Sequence, residues 1–266
     1  MNILEKIAAI KKKELTELVS NIPVRHLEKS EFFAREIIPL TEFILNPSKT
    51  GIIAEFKRRS PSAGIFNSRA GIEDVTTGYS MLDASALSIL TEKVFFGGDN
   101  NDLINARKLN SIPILRKDFI IDEYQVMESK AIGADAILLI ASLLTKSQIL
   151  KMASLACSLG MQSVLEVHNA DELNKLNEFI NIAGVNNRNL RTFKVDIGLS
   201  LKLAAKIPAG FVKISESGIS SPDTIIKLKR AGYNGFLIGE RFMQSSDPVK
   251  SFAEFIKSLK EKDAEN

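Results

Sequence analysis

Short, strongly apolar runs recur along this chain and alternate with segments of helical character. They predict eight strands, at 52–57, 86–91, 112–117, 136–140, 163–167, 182–186, 211–216 and 235–239. Successive strands start 19 to 34 residues apart, which leaves room for one helix and two loops, as in parallel βαβ units. Continuous apolar runs such as 136–140 are typical of parallel strands that are buried on both faces.

The segments between these runs carry the signals of helix termini. Ser221 is a typical N-cap, Pro222 suits the first helical position, and Gly232 suits the residue after the last turn. A further helix is predicted before the sixth strand by the apolar stripe Leu173, Leu176 and Ile180. Eight β/α units predict an α/β fold, a closed (β/α)8 or TIM barrel. The alternative is a doubly wound open sheet, but no Gly-x-Gly-x-x-Gly motif follows the first strand.

About fifty residues precede the first strand, and a barrel does not require them. A stripe of helical spacing runs through Leu4, Ile7, Leu15 and Leu18, and residues 39–45 suggest a connecting segment. We therefore predict one domain over residues 1–266, with residues 1–50 as a helical extension. This extension either caps the floor of the barrel or packs near its active mouth, and the sequence leaves both positions open.

Composition and charge narrow the function classes. With 45% hydrophobic and 25% charged residues, the chain resembles a globular protein that can bury a core. The net charge is +3 without a basic stripe interleaved with aromatics, so nucleic acid is not an expected partner. The start lacks a secretion signal, the most apolar stretch is far shorter than the roughly 20 residues that span a bilayer, and the single cysteine, Cys157, forms no internal disulfide. We expect a cytoplasmic protein without a membrane partner, and a monomer by default.

The first predicted strand ends in two opposite charges. Ile53, Glu55 and Lys57 alternate along it and share one face, whereas Ala54 and Phe56 take the other. Because buried charge is costly, this pair indicates a strand end that opens into a site. Active sites of (β/α)8 barrels lie at the C-terminal strand ends. Seven of the eight predicted strands end in charged or amide side chains or in glycine, and the fourth, ending at 140–142, is the exception.

Lys117 and Glu166 are the clearest candidates for proton transfer. By alternation Lys117 shares a face with Leu115, while Arg116 points the opposite way. A lysine at a barrel mouth donates a proton, holds an anion or forms an ordinary salt bridge. Glu166 has apolar neighbours, so we expect burial to raise its pKa and make it a base near neutral pH, unless it pairs with a lysine. His168 falls just past the strand and is expected to be a loop residue rather than a catalytic one.

Glycines follow the last two predicted strands. Gly218 lies in the segment SESGIS at 215–220, and Gly239 lies in IGER at 238–241. Loops in these two places frequently bind phosphate through backbone N–H groups, and glycine lets the backbone approach the ligand closely. Ordinary tight turns also use glycine, but the position of both favours a phosphate site.

Six segments near the predicted strand ends carry recognisable motifs. The most specific is IIAEFKRRSPS at 52–62, and the others are SILTEKVFFGG at 88–98, LRKDFIID at 115–122, LEVH at 165–168, GVNNRNL at 184–190 and SESGI at 215–219. Together they resemble the motifs of the indole-3-glycerol phosphate synthase family of tryptophan biosynthesis. The resemblance covers residues 1–257, including the N-terminal extension.

The resemblance implies ring closure of 1-(2-carboxyphenylamino)-1-deoxyribulose 5-phosphate with loss of CO2 and water, and no metal or organic cofactor. Lys117 would be the general acid, Glu166 the general base, and Glu55 and Lys57 a coupled pair. Asn186 would join these catalytic residues by orienting the substrate. The implied substrate-binding residues are Ser60, Pro61, Glu92, Phe96, Phe119, Arg188 and Glu216. The implied phosphate-binding residues are Lys57, Ser217, Gly218, Gly239 and Glu240. How acid and base roles divide among the two lysines, Glu55 and Glu166 stays open.

Two positions depart from the family pattern, and two rival functions remain. Glu240 stands where a small or polar residue often follows the last phosphate glycine, so we expect only its backbone N–H to face the ligand. Residues 81–84 replace a usual Gly-Ala pair at an outer joint between a helix and a strand.

One rival function is that of the phosphoribosylanthranilate isomerase of the same pathway, whose chemistry is usually assigned to a cysteine where this chain has Glu55 and Lys57. The other is a binding or regulatory barrel without turnover.

Overall fold

The computed structural model describes residues 3–67 and 69–264. Its strands are β1 (Ile52–Phe56), β2 (Arg59–Ser60), β3 (Gly64–Ile65), β4 (Ala86–Leu90), β5 (Ile114–Lys117), β6 (Ala136–Ile140), β7 (Gln162–Val167), β8 (Ile182–Asn186), β9 (Val212–Glu216) and β10 (Gly235–Ile238). β2 and β3 form a small antiparallel hairpin after β1. The other eight strands pair in parallel and close into a barrel in the order β1-β10-β9-β8-β7-β6-β5-β4. The predicted (β/α)8 barrel is confirmed, and the open-sheet alternative is wrong.

Helices fill the connections between the strands. They are α1 (Ile3–Asn21), α2 (Val24–Leu27), α3 (Leu40–Leu45), α4 (Ile72–Met81), α5 (Asn100–Leu109), α6 (Glu123–Ala131), α7 (Lys146–Ser158), α8 (Gly198–Leu203), α9 (Pro222–Arg230), α10 (Glu240–Met243) and α11 (Pro248–Ala264). Ser221 caps α9 and Gly232 follows its end with φ +92°, as predicted. In the described residues, no helix is long and apolar enough to cross a membrane.

The helix predicted from Leu173 to Ile180 is wrong. The chain forms only a short 3-10 helix over Asp171–Lys175, and Leu176 already has an extended backbone with ψ 141°. The Asn177 side chain then accepts a hydrogen bond from the Phe179 N–H at 3.0 Å. Such a local turn competes with helix formation, and the apolar spacing alone does not reveal it.

Side chains alternate between two apolar clusters, one on each face of the barrel wall. Ile53, Leu115, Leu138 and Val164 belong to the inner cluster, whereas the residues that alternate with them pack outward against the helices. Arg116 also points outward, where its guanidinium pairs with Glu128 at 2.7 Å. This alternation aims the last inward residue of each strand into the mouth of the barrel.

The N-terminal extension contacts both ends of the barrel. Ile7 of α1 belongs to the inner cluster, and Lys11 Nζ lies 2.9 Å from Asp118, which follows the end of β5 at the mouth. α3 lies at the opposite end, where the Thr41 N–H donates to the Gln162 side chain at the start of β7 (2.9 Å). The two positions that the sequence left open are therefore both occupied, by α1 at the mouth and α3 at the floor.

Candidate active site

Three barrel strands bring their last inward side chains to one point. β5 ends at Lys117, whose Nζ lies 3.0 Å from Glu166 Oε2 on β7 and 2.5 Å from Glu216 Oε2 on β9. Both carboxylates are buried, and Lys117 is largely buried between them. An ammonium held between two carboxylates in a dry environment interacts with both far more strongly than it would in water.

β1 supplies a second ion pair beside the first. Lys57 Nζ lies 2.9 Å from Glu55 Oε1, and the Ser88 hydroxyl donates to Glu55 Oε2 at 3.4 Å. The predicted pairing of Glu55 with Lys57 is confirmed. Gly239 provides the space for it, because a Cβ at this position would lie 2.6 Å from Glu55 Oε1.

These charges line a cavity of about 410 Å³. One wall is apolar and consists of Leu90, Phe96, Phe119, Leu138, Ile140 and Leu237. Further apolar, polar and glycine residues line the remainder, and those that the sequence predicted are Glu55, Lys57, Ser60, Pro61, Lys117, Glu166, Asn186, Arg188, Glu216, Ser217, Gly218, Gly239 and Glu240. A concave site with an apolar wall and a few convergent polar groups is typical of small-molecule binding.

The protonation states of Lys117 and Glu166 depend on burial and on the charges of the neighbouring side chains. Burial alone would lower the pKa of Lys117, but the carboxylates of Glu216, Glu166 and Glu55 outweigh it and raise that pKa above its ordinary value. Burial alone would raise the pKa of Glu166, but Lys117 and then His168 lower it below its usual range. Of the two expectations for Glu166, the pairing with a lysine is confirmed and the raised pKa is wrong, because its charged partners outweigh the apolar neighbours in sequence.

Glu216 is the carboxyl group with the raised pKa, at about 7. Burial is the main cause; Lys117 partly offsets it, and the nearby negative charges of Glu166 and Glu55 add to it. Its Oε1 is buried and has no hydrogen-bond partner among the described residues. One lysine thus cannot keep both neighbouring carboxyl groups ionised, and Glu216 is the one that holds a proton near neutral pH.

Arg188 crosses the rim of the cavity and is already paired. Its Nη2 lies 2.7 Å from Glu240 Oε2, and its Nη1 donates to the Ser62 hydroxyl at 3.1 Å. The Arg188 backbone N–H donates to the Asn186 side chain at 3.0 Å. The Glu240 carboxylate therefore neutralises a cation that lines the same cavity, and the expectation that only its backbone N–H faces the ligand stays a prediction.

The turn after β9 adopts a constrained backbone. Ser217 and Gly218 both have positive φ, at +66° and +77°, and such a conformation is uncommon for serine. Asn187 fixes this turn, since its side-chain amide donates to the carbonyls of Glu216 and Ser217 at 3.0 and 3.1 Å. The sequence analysis did not single out Asn187 as a site residue. Its position directly after Asn186 at the end of β8 was the signal that could have indicated it.

Two further residues differ from expectation. Glu92 does not line the cavity, because β4 ends at Leu90 and the Glu92 carboxylate turns back to accept hydrogen bonds from the N–H groups of Val94, Phe95 and Phe96 (2.7–3.0 Å). Its predicted substrate contact is therefore replaced by a loop-forming role. His168 does follow the end of β7, as predicted, but its imidazole is buried with Nε2 3.3 Å from Glu166 Oε1.

Among residues 3–67 and 69–264, no group of three or more His, Cys, Asp or Glu side chains is placed so that it could hold a metal ion. The single cysteine, Cys157, is exposed on α7, away from the end of β1. The site instead offers proton donors and acceptors, cations at its rim and an apolar wall, which suits acid–base chemistry on an anionic aromatic molecule.

Comparison with known proteins identifies relatives of this chain. A family model described as indole-3-glycerol phosphate synthase matches residues 4–255. An indole-3-glycerol phosphate synthase from Bacteroides thetaiotaomicron is 48% identical over 215 residues, covering 81% of this chain and 83% of the relative. Another from Carboxydothermus hydrogenoformans is 40% identical over 256 residues, covering 93% of this chain and 97% of the relative.

Among solved structures, a mutant tryptophan synthase alpha-subunit from Pyrococcus furiosus superimposes with a TM-score of 0.58 at 14% identity. The match covers 80% of this chain and 99% of that chain. At this identity the likeness concerns the barrel fold alone.

Proposed function

The chain belongs to the indole-3-glycerol phosphate synthase family, and we propose that the cavity around Lys117 performs the ring closure. The family membership makes the protein a carboxy-lyase of tryptophan biosynthesis that acts on a phosphorylated small molecule. The proposed substrate is 1-(2-carboxyphenylamino)-1-deoxyribulose 5-phosphate. The observation that carries the assignment is Lys117 Nζ held between Glu166 and Glu216 beneath an apolar wall.

Lys117 is the proposed general acid. Its raised pKa keeps it protonated at neutral pH, so a proton is available when the aromatic carbon attacks the ribulose carbonyl. The developing alkoxide receives that proton from Nζ. Glu216 has a pKa of about 7, and its Oε2 lies 2.5 Å from Lys117 Nζ. It is therefore suited to return a proton to Lys117. Lys117 thus supplies the proton and Glu216 replaces it, and their different pKa values suit these two roles.

Glu166 is the proposed general base for the later dehydration. Its lowered pKa keeps it ionised, so it accepts the proton that is lost as the new ring becomes aromatic. Asn186 lies beside it at the end of β8 and is proposed to orient a substrate hydroxyl. The proposed order, with Lys117 acting first and Glu166 later, uses each group in the protonation state in which it starts.

The rim charges are proposed to hold the two anionic ends of the substrate. Arg188 is assigned to the anthranilate carboxylate and Lys57 to the phosphate or the departing hydroxyl, with Glu55 fixing the Lys57 side chain. The turns at Gly218 and Gly239 are proposed to bind the phosphate through backbone N–H groups. The aromatic ring of the substrate is proposed to pack against Phe96 and Phe119, whose rings contact each other with centroids 6.1 Å apart.

The two rival functions fit these residues less well. The isomerase chemistry is usually assigned to a cysteine at the end of the first strand, whereas β1 leads into Glu55 and Lys57 and Cys157 lies on α7. A binding barrel without turnover has no need for a buried ammonium group and two buried carboxyl groups that all line its cavity.

A fluorescence assay for the indole product tests the proposal. Purified protein is incubated with the carboxyphenylamino substrate, alongside Lys117→Met and the control Lys146→Met on the exposed start of α7. We expect turnover by the wild type and the control, and a loss of at least 10²-fold in Lys117→Met, typical of removing a proton-transfer group. Circular dichroism checks that both variants fold. Wild-type protein without indole product, or near-normal rates in Lys117→Met, would contradict the proposal.

A further inference from the structure

The imidazole of His168 lies between two carboxylates on opposite sides of the ring. Nε2 is 3.3 Å from Glu166 Oε1, and Nδ1 is 3.7 Å from Glu172 Oε2. Glu172, in the 3-10 helix after β7, is itself held in place. It accepts hydrogen bonds from the His168 backbone N–H (2.7 Å) and the Asn169 side chain (3.0 Å). The His168 ring does not line the cavity, so any effect that it has on the site passes through Glu166.

The surroundings favour the charged form of this ring. Burial alone would lower the pKa of His168, but Glu172 and Glu166 raise it above the ordinary value, and Glu216 on β9 adds to the effect. Lys117 on β5 faces the far oxygen of Glu166 rather than the ring. Neither ring nitrogen makes a hydrogen bond among the described residues, so the two carboxylates favour the protonated imidazole through their negative charge.

This arrangement matters at one moment of the proposed reaction. At rest, Lys117 contacts Glu166 Oε2 and His168 faces Oε1. When Lys117 has given its proton to the substrate, and until Glu216 returns one, it is neutral and no longer favours the ionised form of Glu166. Glu166 is 2% exposed, so burial would then raise its pKa and leave it protonated before it acts as a base.

We propose that His168 is a positioning residue that keeps Glu166 ionised while Lys117 is without its proton, and that Glu172 holds the imidazole in its charged form. Among the cationic side chains that the structure describes beside Glu166, His168 is the one that remains at this stage. The inference rests on the proposed ring closure and concerns a residue behind the cavity rather than one that touches the substrate.

The first test compares the pH profiles of kcat for the wild type, His168→Gln, Glu172→Gln and His26→Gln. His26 lies exposed on α2 and provides the matched control. In His168→Gln we expect the acid limb to move to higher pH and kcat at neutral pH to fall roughly tenfold, less than the loss from removing a proton-transfer group itself. Glu172→Gln should move the limb in the same direction by less, with KM changing little in both. An acid limb at the wild-type position in His168→Gln would overturn the proposal.

A second test needs no turnover. Protein labelled with ¹³C at Cε1 of histidine gives one signal for each of its two histidines, and His26→Gln assigns them. We expect His168 to titrate above the ordinary value for histidine and to shift downward in Glu172→Gln. Titration of His168 at or below that value would overturn the proposal. If the wild type instead forms no indole product, the proposed function fails, whatever the titration shows.

Discussion

Lys11 Nζ lies 2.9 Å from Asp118 Oδ1, and Asp118 is the residue directly after Lys117. The contact ties α1 to the C-terminal end of β5. Asp118 is buried and also pairs with Arg116 at 3.2 Å and accepts a hydrogen bond from the Thr91 hydroxyl at 2.6 Å. Burial alone would raise the pKa of Asp118, but Arg116 and Lys11 lower it. The N-terminal helix α1 thus contributes a positive charge that contacts the residue next to the proposed general acid.

Removing the charge of Lys11 should lower the free energy of unfolding. Lys11→Met leaves Asp118 with Arg116 as its remaining cationic contact among the described residues, so we expect a loss of about 1–3 kcal/mol in the free energy of unfolding. Urea denaturation measures it. Lys12→Met, at an exposed position on the same helix, should stay within about 0.5 kcal/mol of the wild type. Equal stabilities for the two variants would show that the pair contributes nothing.

Gly239 tests whether the space beside Glu55 matters for catalysis. In Gly239→Ala, the new Cβ would lie 2.8 Å from Glu55 Cβ, so the Glu55 side chain must move and its contact with Lys57 is disturbed. We expect kcat/KM to fall on the order of 10²-fold, as a displacement of about 1 Å can cause. Gly71→Ala is the control, because its Cβ meets nothing closer than 3.5 Å. Normal kinetics in Gly239→Ala would remove the steric argument.

The barrel and much of its site could be predicted because both depend on local patterns. Apolar runs at regular spacing indicated the eight strands, and period-two alternation correctly aimed Lys117 and Glu166 inward and Arg116 outward. Glu92 does not line the cavity because β4 ends two residues earlier. Alternation predicts the direction of a side chain but not the residue at which its strand ends.

The electrostatics of the site could not be predicted in this way. Burial alone would raise the pKa of Glu166, but Lys117, 49 positions earlier in the chain, and His168 lower it. Apolar neighbours in sequence therefore gave the wrong sign. The same limit applies to His168, because the distances from its ring to Glu166 and Glu172 are defined only in the folded chain.

Glu216 predicts a specific pH dependence of stability. Its pKa is raised from 4.5 to about 7 in the folded state, so the folded protein binds this proton more tightly than the unfolded chain does. The stabilisation is fully present below about pH 4.5 and is lost as the pH rises through about 7. Across this window the contribution changes on the order of 3 kcal/mol.

Glu216→Gln keeps a neutral side chain at every pH, so the difference in unfolding free energy between the wild type and this variant should fall as the pH rises through that window and then level off. Denaturant titrations across the range measure it. Glu254→Gln, at an exposed position on α11, is the matched control for replacing a carboxylate by an amide at the surface. A flat difference for Glu216→Gln would mean that Glu216 ionises normally in the folded protein.

Glu240 should act as an internal competitor for the substrate carboxylate. Its Oε2 lies 2.7 Å from Arg188 Nη2, on the cation that we assign to the anthranilate end, and its negative charge also borders the proposed phosphate turn. The side chains are 21% and 33% exposed, so the pair contributes at most about 1 kcal/mol. A substrate that displaces Glu240 must first overcome this contact.

Glu240→Gln removes the competing charge, so we expect KM to fall up to about fivefold, the equivalent of about 1 kcal/mol, with kcat little changed. Steady-state kinetics at low salt give the clearest reading, since screening weakens partly exposed ion pairs. Glu178→Gln removes the same charge at an exposed position before β8 and should leave KM unchanged. A rise in KM for Glu240→Gln would instead mean that Glu240 aligns Arg188 for the substrate, and the contact would then be part of the binding site rather than its competitor.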